Sequence, residues 1–153
     1  MSLDSQHLIL MADDDADDRL LVKDALAECQ ISDRLRFVED GEELMDYLLR
    51  QGKYAAPDAA PRPSLVLLDL NMPRKDGREA LREIRAHPEL RRLPVVAFTT
   101  SKSDTDVGTI YDLGGNSFVT KPVAFEALVN ALTALTRYWF SIVELPELRA
   151  KGL

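Results

Sequence analysis

The chain carries a single cysteine, Cys29, in 153 residues. One thiol cannot close an intramolecular disulfide, which fits a reducing compartment. Basic residues are also short: 19 lysines and arginines face 26 aspartates and glutamates, for a net charge of −7. That balance argues against nucleic acid or an anionic membrane as the main partner. No apolar run approaches a membrane span, and nothing at the start reads as a signal peptide. Only two histidines occur, His7 and His87, and neither has another histidine or a cysteine at ligand spacing. A transition-metal site is therefore not expected. There is no helix-turn-helix pattern, no basic stripe and no second set of strands. The expectation is one cytoplasmic domain over residues 1–153, long enough to bury a sizeable core.

What is present is organised around Leu65-Val66-Leu67-Leu68-Asp69, followed by Leu70-Asn71-Met72-Pro73. A continuous apolar run bounded by breakers predicts a strand buried on both faces of a parallel sheet. An acid at its carboxyl end lies where open α/β sheets place their ligands. Leu8-Ile9-Leu10-Met11-Ala12 predicts a second such strand. It runs into residues 13–18, where five of six positions are aspartate. Like charges so close repel, and the N-terminus of a following helix relieves one or two of them. Leu21, Val22, Ala25, Leu26 and Cys29 mark that helix by their spacing, with Cys29 as a small core residue. The remaining acids call for a cation.

Leu35-Arg36-Phe37-Val38 predicts an alternating strand. Asp40 and Glu43 then supply a capping box for a helix with Leu44, Tyr47 and Leu48 inward. Residues 52–63 form a long loop rich in alanine and proline. After the central strand, Asp76-Gly77 marks a turn, and Ala80, Leu81 and Ile84 face the next helix inward until His87-Pro88 ends it. Val95-Val96-Ala97-Phe98 is a fourth strand, ending in Thr99-Thr100-Ser101. Val107, Ile110, Tyr111 and Leu113 suggest a helix closed by Gly114-Gly115. Ser117-Phe118-Val119-Thr120 is a fifth strand, ending in Lys121-Pro122. A final helical face runs from Phe125 through Leu128, Leu132 and Leu135 to Trp139, Phe140 and Val143, with Pro146 breaking it.

Five β-α repeats predict a parallel sheet covered by helices on both faces. Strand ends one, three, four and five then bring Asp13 and Asp14, Asp69, Thr99 and Lys121 to one edge. Several carboxylates without histidine or cysteine suit a hard cation, Mg²⁺ above all. A lysine and a hydroxyl beside them suit phosphoryl oxygens. An aspartate beyond the needs of the metal can act as nucleophile and form an acyl phosphate.

These residues together, from about 7 to 137, resemble the receiver domain of two-component response regulators. The resemblance implies a flavodoxin-like fold of strand order 2-1-3-4-5 with five helices, an arrangement known from chemotaxis receivers. It implies that Asp69 accepts a phosphoryl group from a phosphohistidine on a sensor histidine kinase or phosphotransfer protein. Asp14, Asp69 and the backbone carbonyl of Asn71 would bind Mg²⁺ directly, and Asp13 through water. Thr99 and Lys121 would hold phosphoryl oxygens, Phe118 would repack as a switch residue, and Lys121-Pro122 would be cis. Asp14-Asp15-Ala16-Asp17-Asp18, Thr99-Thr100-Ser101 and Lys121-Pro122-Val123 resemble a narrower group, stand-alone receivers paired with phytochrome-type and other hybrid kinases. Thr100 departs from the small residue common at its position, and the 52–63 loop is long for the family.

The last helix outruns a typical receiver, so residues 138–153 are expected to extend it as a dimerisation element. The competing expectation is that this tail folds back onto its own domain. Two other functions remain beside the receiver. One is a Mg²⁺-dependent phosphohydrolase with an aspartyl nucleophile, which would need an acid where Asn71 stands. The other is a degenerate receiver that only binds, although such modules usually lose one of the groups retained here. The receiver itself would not be a turnover enzyme, and its signal would leave through protein contacts.

Overall fold

The computed structural model describes residues 7–146. Five strands, β1 (Ile9–Ala12), β2 (Leu35–Val38), β3 (Leu65–Leu68), β4 (Val95–Thr99) and β5 (Ser117–Thr120), form one sheet in the order β2-β1-β3-β4-β5. All pairings are parallel, with Ala12 opposite both Val38 and Leu68, and Thr99 opposite Thr120. The helices are α1 (Ala16–Glu28), α2 (Gly41–Leu49), α3 (Gly77–Ala86), α4 (Asp104–Asp112) and α5 (Phe125–Arg137). The flavodoxin-like expectation holds.

Alternation along the strands divides the core into two layers. Leu10, Ala12, Val66, Leu68, Val95 and Ala97 face α2, α3 and α4, meeting Leu44, Tyr47, Leu48, Ala80, Leu81, Ile84 and Ile110. Ile9, Met11, Leu65, Leu67, Val96 and Phe98 face the other way, toward Val22, Ala25 and Leu26 of α1 and Leu128 and Leu132 of α5. β3 is buried on both sides because helices cover both faces. Each fully buried leucine or isoleucine contributes about 1.5–3 kcal/mol, so Leu67→Ala would damage one layer and leave the other intact.

Local chemistry starts α1, α2 and α3. Asp15 caps α1, accepting the amides of Asp17 and Asp18 at 2.9 and 3.2 Å. Asp40 caps α2 through the Glu43 amide at 2.8 Å, and Glu43 accepts in return from the amide of Glu39, one residue before the cap. Asp76 caps α3 by accepting from Arg78 and Glu79. Gly114 closes α4 with φ +95°, and the Gly115 amide bonds the Ile110 carbonyl at 2.8 Å. The long 52–63 loop is pinned to α2: the Tyr47 hydroxyl donates to the Pro61 carbonyl at 2.6 Å, and Arg50 donates to that of Ala60.

Two expectations need correction. Leu21, placed on the inner face of α1, is 44% exposed, and Phe125 is 42% exposed at the start of α5. The buried positions of α1 are Val22, Ala25 and Leu26, which leaves Leu21 on the flank of the inner face, and Phe125 is the first residue of α5. Lys121-Pro122 is trans, for no peptide bond among the described residues is cis. Trans is favoured by about 0.5–1 kcal/mol at an X–Pro bond. The Lys121 amide already bonds the Thr99 carbonyl at 2.7 Å, so the trans chain delivers the lysine to the sheet edge. Finally, α5 gives way at Tyr138–Ile142 to a single π-helical stretch, which turns Phe140 inward to stack on His7 at 4.9 Å. Part of the extension thus folds back: Phe140 is buried, and Trp139 and Leu145 pack on the α1–α5 layer. Tyr138 and Ile142 stay exposed. Residues 147–153 of the expected extension lie outside the described residues.

Candidate functional site

The carboxyl ends of β1, β3 and β5 converge as the topology requires. Carboxylate oxygens of Asp13, Asp14 and Asp69 lie within 4.8 Å of one another. Asp13 is fully buried, Asp69 nearly so, and Asp14 is exposed. Backbone bonds hold this edge: the Asp13 amide donates to Val38, and the Asp69 amide to Ala12, each at 3.0 Å. Gly77 backs the end of β3 so closely that any Cβ there would collide with the Asp69 carbonyl oxygen. The turn expected at Asp76-Gly77 therefore has a second role, seating α3 against the end of β3.

Lys121 is the cation the acids call for. Its ammonium lies 2.5 Å from Asp13 Oδ2, 2.7 Å from Asp18 Oδ2 and 3.7 Å from Asp69 Oδ2. Burial raises the Asp13 carboxyl above its usual range, outweighing the Lys121 hydrogen bond and the Asp15 amide that pull it down. Burial alone would lower the Lys121 ammonium, but its bonds to Asp13 and Asp18 prevail and raise it. The site is thus a dense negative cluster with one resident cation.

The donor set fits a hard divalent ion. Ligand oxygens at about 2.1 Å around octahedral Mg²⁺ lie roughly 3–4 Å apart, close to the spacing found. Both oxygens of Asp13 are already engaged, one by the Asp15 amide at 2.9 Å and one by Lys121. Asp14 has no hydrogen bond or ion pair among the described residues, and Asp69 has only the long contact to Lys121. The carboxylates of Asp14 and Asp69 are therefore the less engaged of the three.

Thr99 is buried at the end of β4, its hydroxyl 3.5 Å from the Ser101 amide. Phe118 is half-buried against the α2–α4 layer. Asn71 and Thr100, which follow Asp69 and Thr99 closely in sequence, are exposed. Sequence reasoning missed three contacts here. Asp18 was not singled out as a partner of Lys121, although an acid run with only one cap leaves acids to be neutralised. Arg19 donates to the Asp13 carbonyl at 2.8 Å. A chain of Arg78, Asp106 and Ser101, with distances of 2.7 and 2.6 Å, ties the β4–α4 loop to the start of α3. Nothing in local spacing joins residues 28 positions apart.

Comparison with known proteins agrees with this geometry. The model of the response regulator receiver domain matches residues 9–133. Response regulator Rcp1 of Synechocystis sp. is 40% identical over 139 residues, 91% of this chain and 92% of that one. The phosphorylated cyanobacterial phytochrome response regulator RcpA superposes with a TM-score of 0.82 at 38% identity, covering 92% of this chain and 99% of that one. The Mn²⁺-bound form of Rcp1 does so with a TM-score of 0.80 at 38% identity over the same shares. A five-stranded parallel sheet whose carboxyl edge gathers three aspartates and a lysine, matched over nearly its whole length, belongs to the response regulator receiver domain family.

Proposed function

We propose that Asp69 is the phosphoacceptor of this receiver and that Mg²⁺ is its cofactor. The observation that carries the reading is the approach of Asp13, Asp14 and Asp69 within 4.8 Å, with the Lys121 ammonium 3.7 Å from Asp69. A carboxylate oxygen of Asp69 attacks phosphorus on a phosphohistidine. The N–P bond breaks, and its electron pair returns to the imidazole. A bound Mg²⁺ would neutralise charge between the carboxylates and the transferring group. Asp14, Asp69 and the Asn71 carbonyl would hold that ion directly, and Asp13 would act on it through water. Lys121 pairs with one phosphoryl oxygen, the Thr99 hydroxyl donates to another, and Phe118 follows the threonine as the switch residue.

The position two residues past the acceptor is Asn71, whose amide cannot transfer a proton. The acyl phosphate therefore loses its phosphoryl group only slowly to water, and the protein is a signalling receiver, not a turnover enzyme. The donor is a sensor histidine kinase or phosphotransfer protein, of phytochrome or hybrid type by likeness to RcpA. Exposed Leu20, Leu21, Val123 and Phe125 offer it an apolar rim. These residues follow closely on Asp18 and Lys121, which the 2.7 Å ion pair holds together beside the site.

The signal leaves through protein contacts in the cytoplasm. No helix among the described residues is long and apolar enough to cross a membrane. A second copy of the chain pairs through α5 and its extension. Tyr138 and Ile142 are exposed there, beside a groove of about 630 Å³ lined by Val119, Ala131, Leu135 and Trp139. Sedimentation of the purified chain reads this, and a monomer at high concentration would refute it.

The acceptor itself is tested with beryllofluoride and Mg²⁺, followed by amide NMR shifts in wild type and Asp69→Asn. Saturable shifts around residues 69, 99 and 121 in the wild type alone are expected. A folded wild type that does not respond would reduce the chain to a binding module.

A further inference from the structure

Asp18 belongs to none of the roles above. It neither caps α1, which Asp15 does, nor joins the three-carboxylate cluster. Yet it makes one of the two short bonds to Lys121, at 2.7 Å, across 103 residues of sequence. The lysine side chain is 9% exposed and that of Asp18 30%, so water screens this pair only in part. An ammonium has three N–H donors. Asp13 and Asp18 take two of them, and Asp69 lies beyond hydrogen-bond reach at 3.7 Å.

We propose that Asp18 is a positioning residue that holds Lys121 away from the acceptor in the resting protein and thereby sets how readily the site takes a phosphoryl group. This rests on Asp69 being the acceptor. To pair with a phosphoryl oxygen, the ammonium must close to about 2.8 Å on the Asp69 side. Asp13 is fully buried at the end of β1 and stays within reach. Asp18 sits on the first turn of a helix at the rim, and movement of the lysine toward Asp69 lengthens that bond. The phosphoryl group also brings added negative charge into a cluster that already includes Asp13, Asp14, Asp18 and Asp69. Asp18 therefore favours the empty acceptor on both counts.

The same geometry gives the opposite sign for the metal. With Asp18 neutralised, Lys121 turns its freed donor toward Asp69 and competes for the oxygen that Mg²⁺ needs. Asp18→Asn should thus tighten beryllofluoride binding at saturating Mg²⁺, by about five- to tenfold. It should weaken Mg²⁺ binding alone. A variant that merely disturbed the start of α1 would weaken both. Asp17→Asn is the control: it removes the same charge one residue away, at an exposed side chain with no ion pair among the described residues.

The experiment titrates wild type, Asp18→Asn and Asp17→Asn with Mg²⁺ and then with beryllofluoride, by amide shifts at two salt concentrations. Opposite changes in Asp18→Asn, retained at high salt and under twofold in Asp17→Asn, support the positioning role. Equal changes in the two variants, or weakening of both ligands in Asp18→Asn, overturn it and leave the acceptor assignment standing. A folded wild type that binds no beryllofluoride overturns both.

Discussion

Two cations hold opposite ends of the sheet, and they differ in what they hold. At the carboxyl edge, Lys121 meets carboxylates only: Asp13, Asp18 and, at longer range, Asp69. At the amino edge, Arg85 from the last turn of α3 meets neutral oxygens only. It donates to the carbonyls of Gly114 and Leu93 at 2.8 Å, to that of Arg91 at 3.2 Å and to Asn116 Oδ1 at 3.0 Å. The same Asn116 oxygen accepts from the Val95 amide at 2.8 Å, so the arginine pins the entries to β4 and β5. Partial burial lowers the guanidinium from its ordinary value, but an arginine stays charged regardless.

The contrast separates a fastener from an exchangeable contact. Carbonyls around Arg85 have no other cation to bind and no proton to gain, so that cluster has one arrangement. The carboxylates around Lys121 can be shared with a divalent ion, and the lysine can be shared with a phosphoryl group. A planar guanidinium with five fixed donors suits the first task. An ammonium on a flexible stem suits the second.

The widest gap between the two ends should appear in stability. Arg85→Ala leaves the part-buried Leu93 carbonyl without its donor and should cost about 1–3 kcal/mol. Denaturant unfolding should read that loss, with or without Mg²⁺. Beryllofluoride should still bind the folded fraction. If Mg²⁺ narrowed the gap in stability between this variant and wild type, the two ends would not be distinct.

Lys121→Ala is expected to cost about 3–5 kcal/mol in chelator, because it strands the buried Asp13 charge. Here Mg²⁺ should restore most of the loss, since a dication replaces the missing one and binds only the native site. Its response to beryllofluoride should fall sharply if Lys121 pairs with the phosphoryl group as proposed. Failure of Mg²⁺ to rescue stability would make Lys121 a second fastener.

The smallest effect concerns Asp106, which joins the β4–α4 loop to α3. The Ser101 hydroxyl and then Arg78 hold its carboxyl below the usual 3.8. A depressed folded value means the tie is complete above the unfolded value of 3.8 and is lost as pH falls through the lower folded value. Amide exchange at residues 101–106 should therefore rise, relative to the rest of the chain, only below that range. In Asp106→Asn this local rise should vanish, because no group remains to titrate. A rise at neutral pH in the wild type would contradict it.

Much of the carboxyl edge was legible before any coordinates. Asp13, Asp14, Asp69, Thr99 and Lys121 each follow a short apolar run, and parallel strands bring such ends together whatever the loops do. Caps were legible for a similar reason. Asp15, Asp40 and Asp76 act on amides two or three residues away, so their chemistry is local. The amino edge was not legible. The acceptors of Arg85 lie up to 31 positions away, beyond the reach of any local pattern.

The sequence by itself determined the strands, their order along the chain and the set of groups at their ends, because burial pattern and helix capping are local properties. Tertiary structure alone decided which acid Lys121 holds, that Leu21 and Phe125 face outward, and that Phe140 turns back onto His7. Those outcomes depend on which surfaces the packed elements leave free. A periodic pattern shows that a side chain is apolar, but only its neighbours show whether anything covers it.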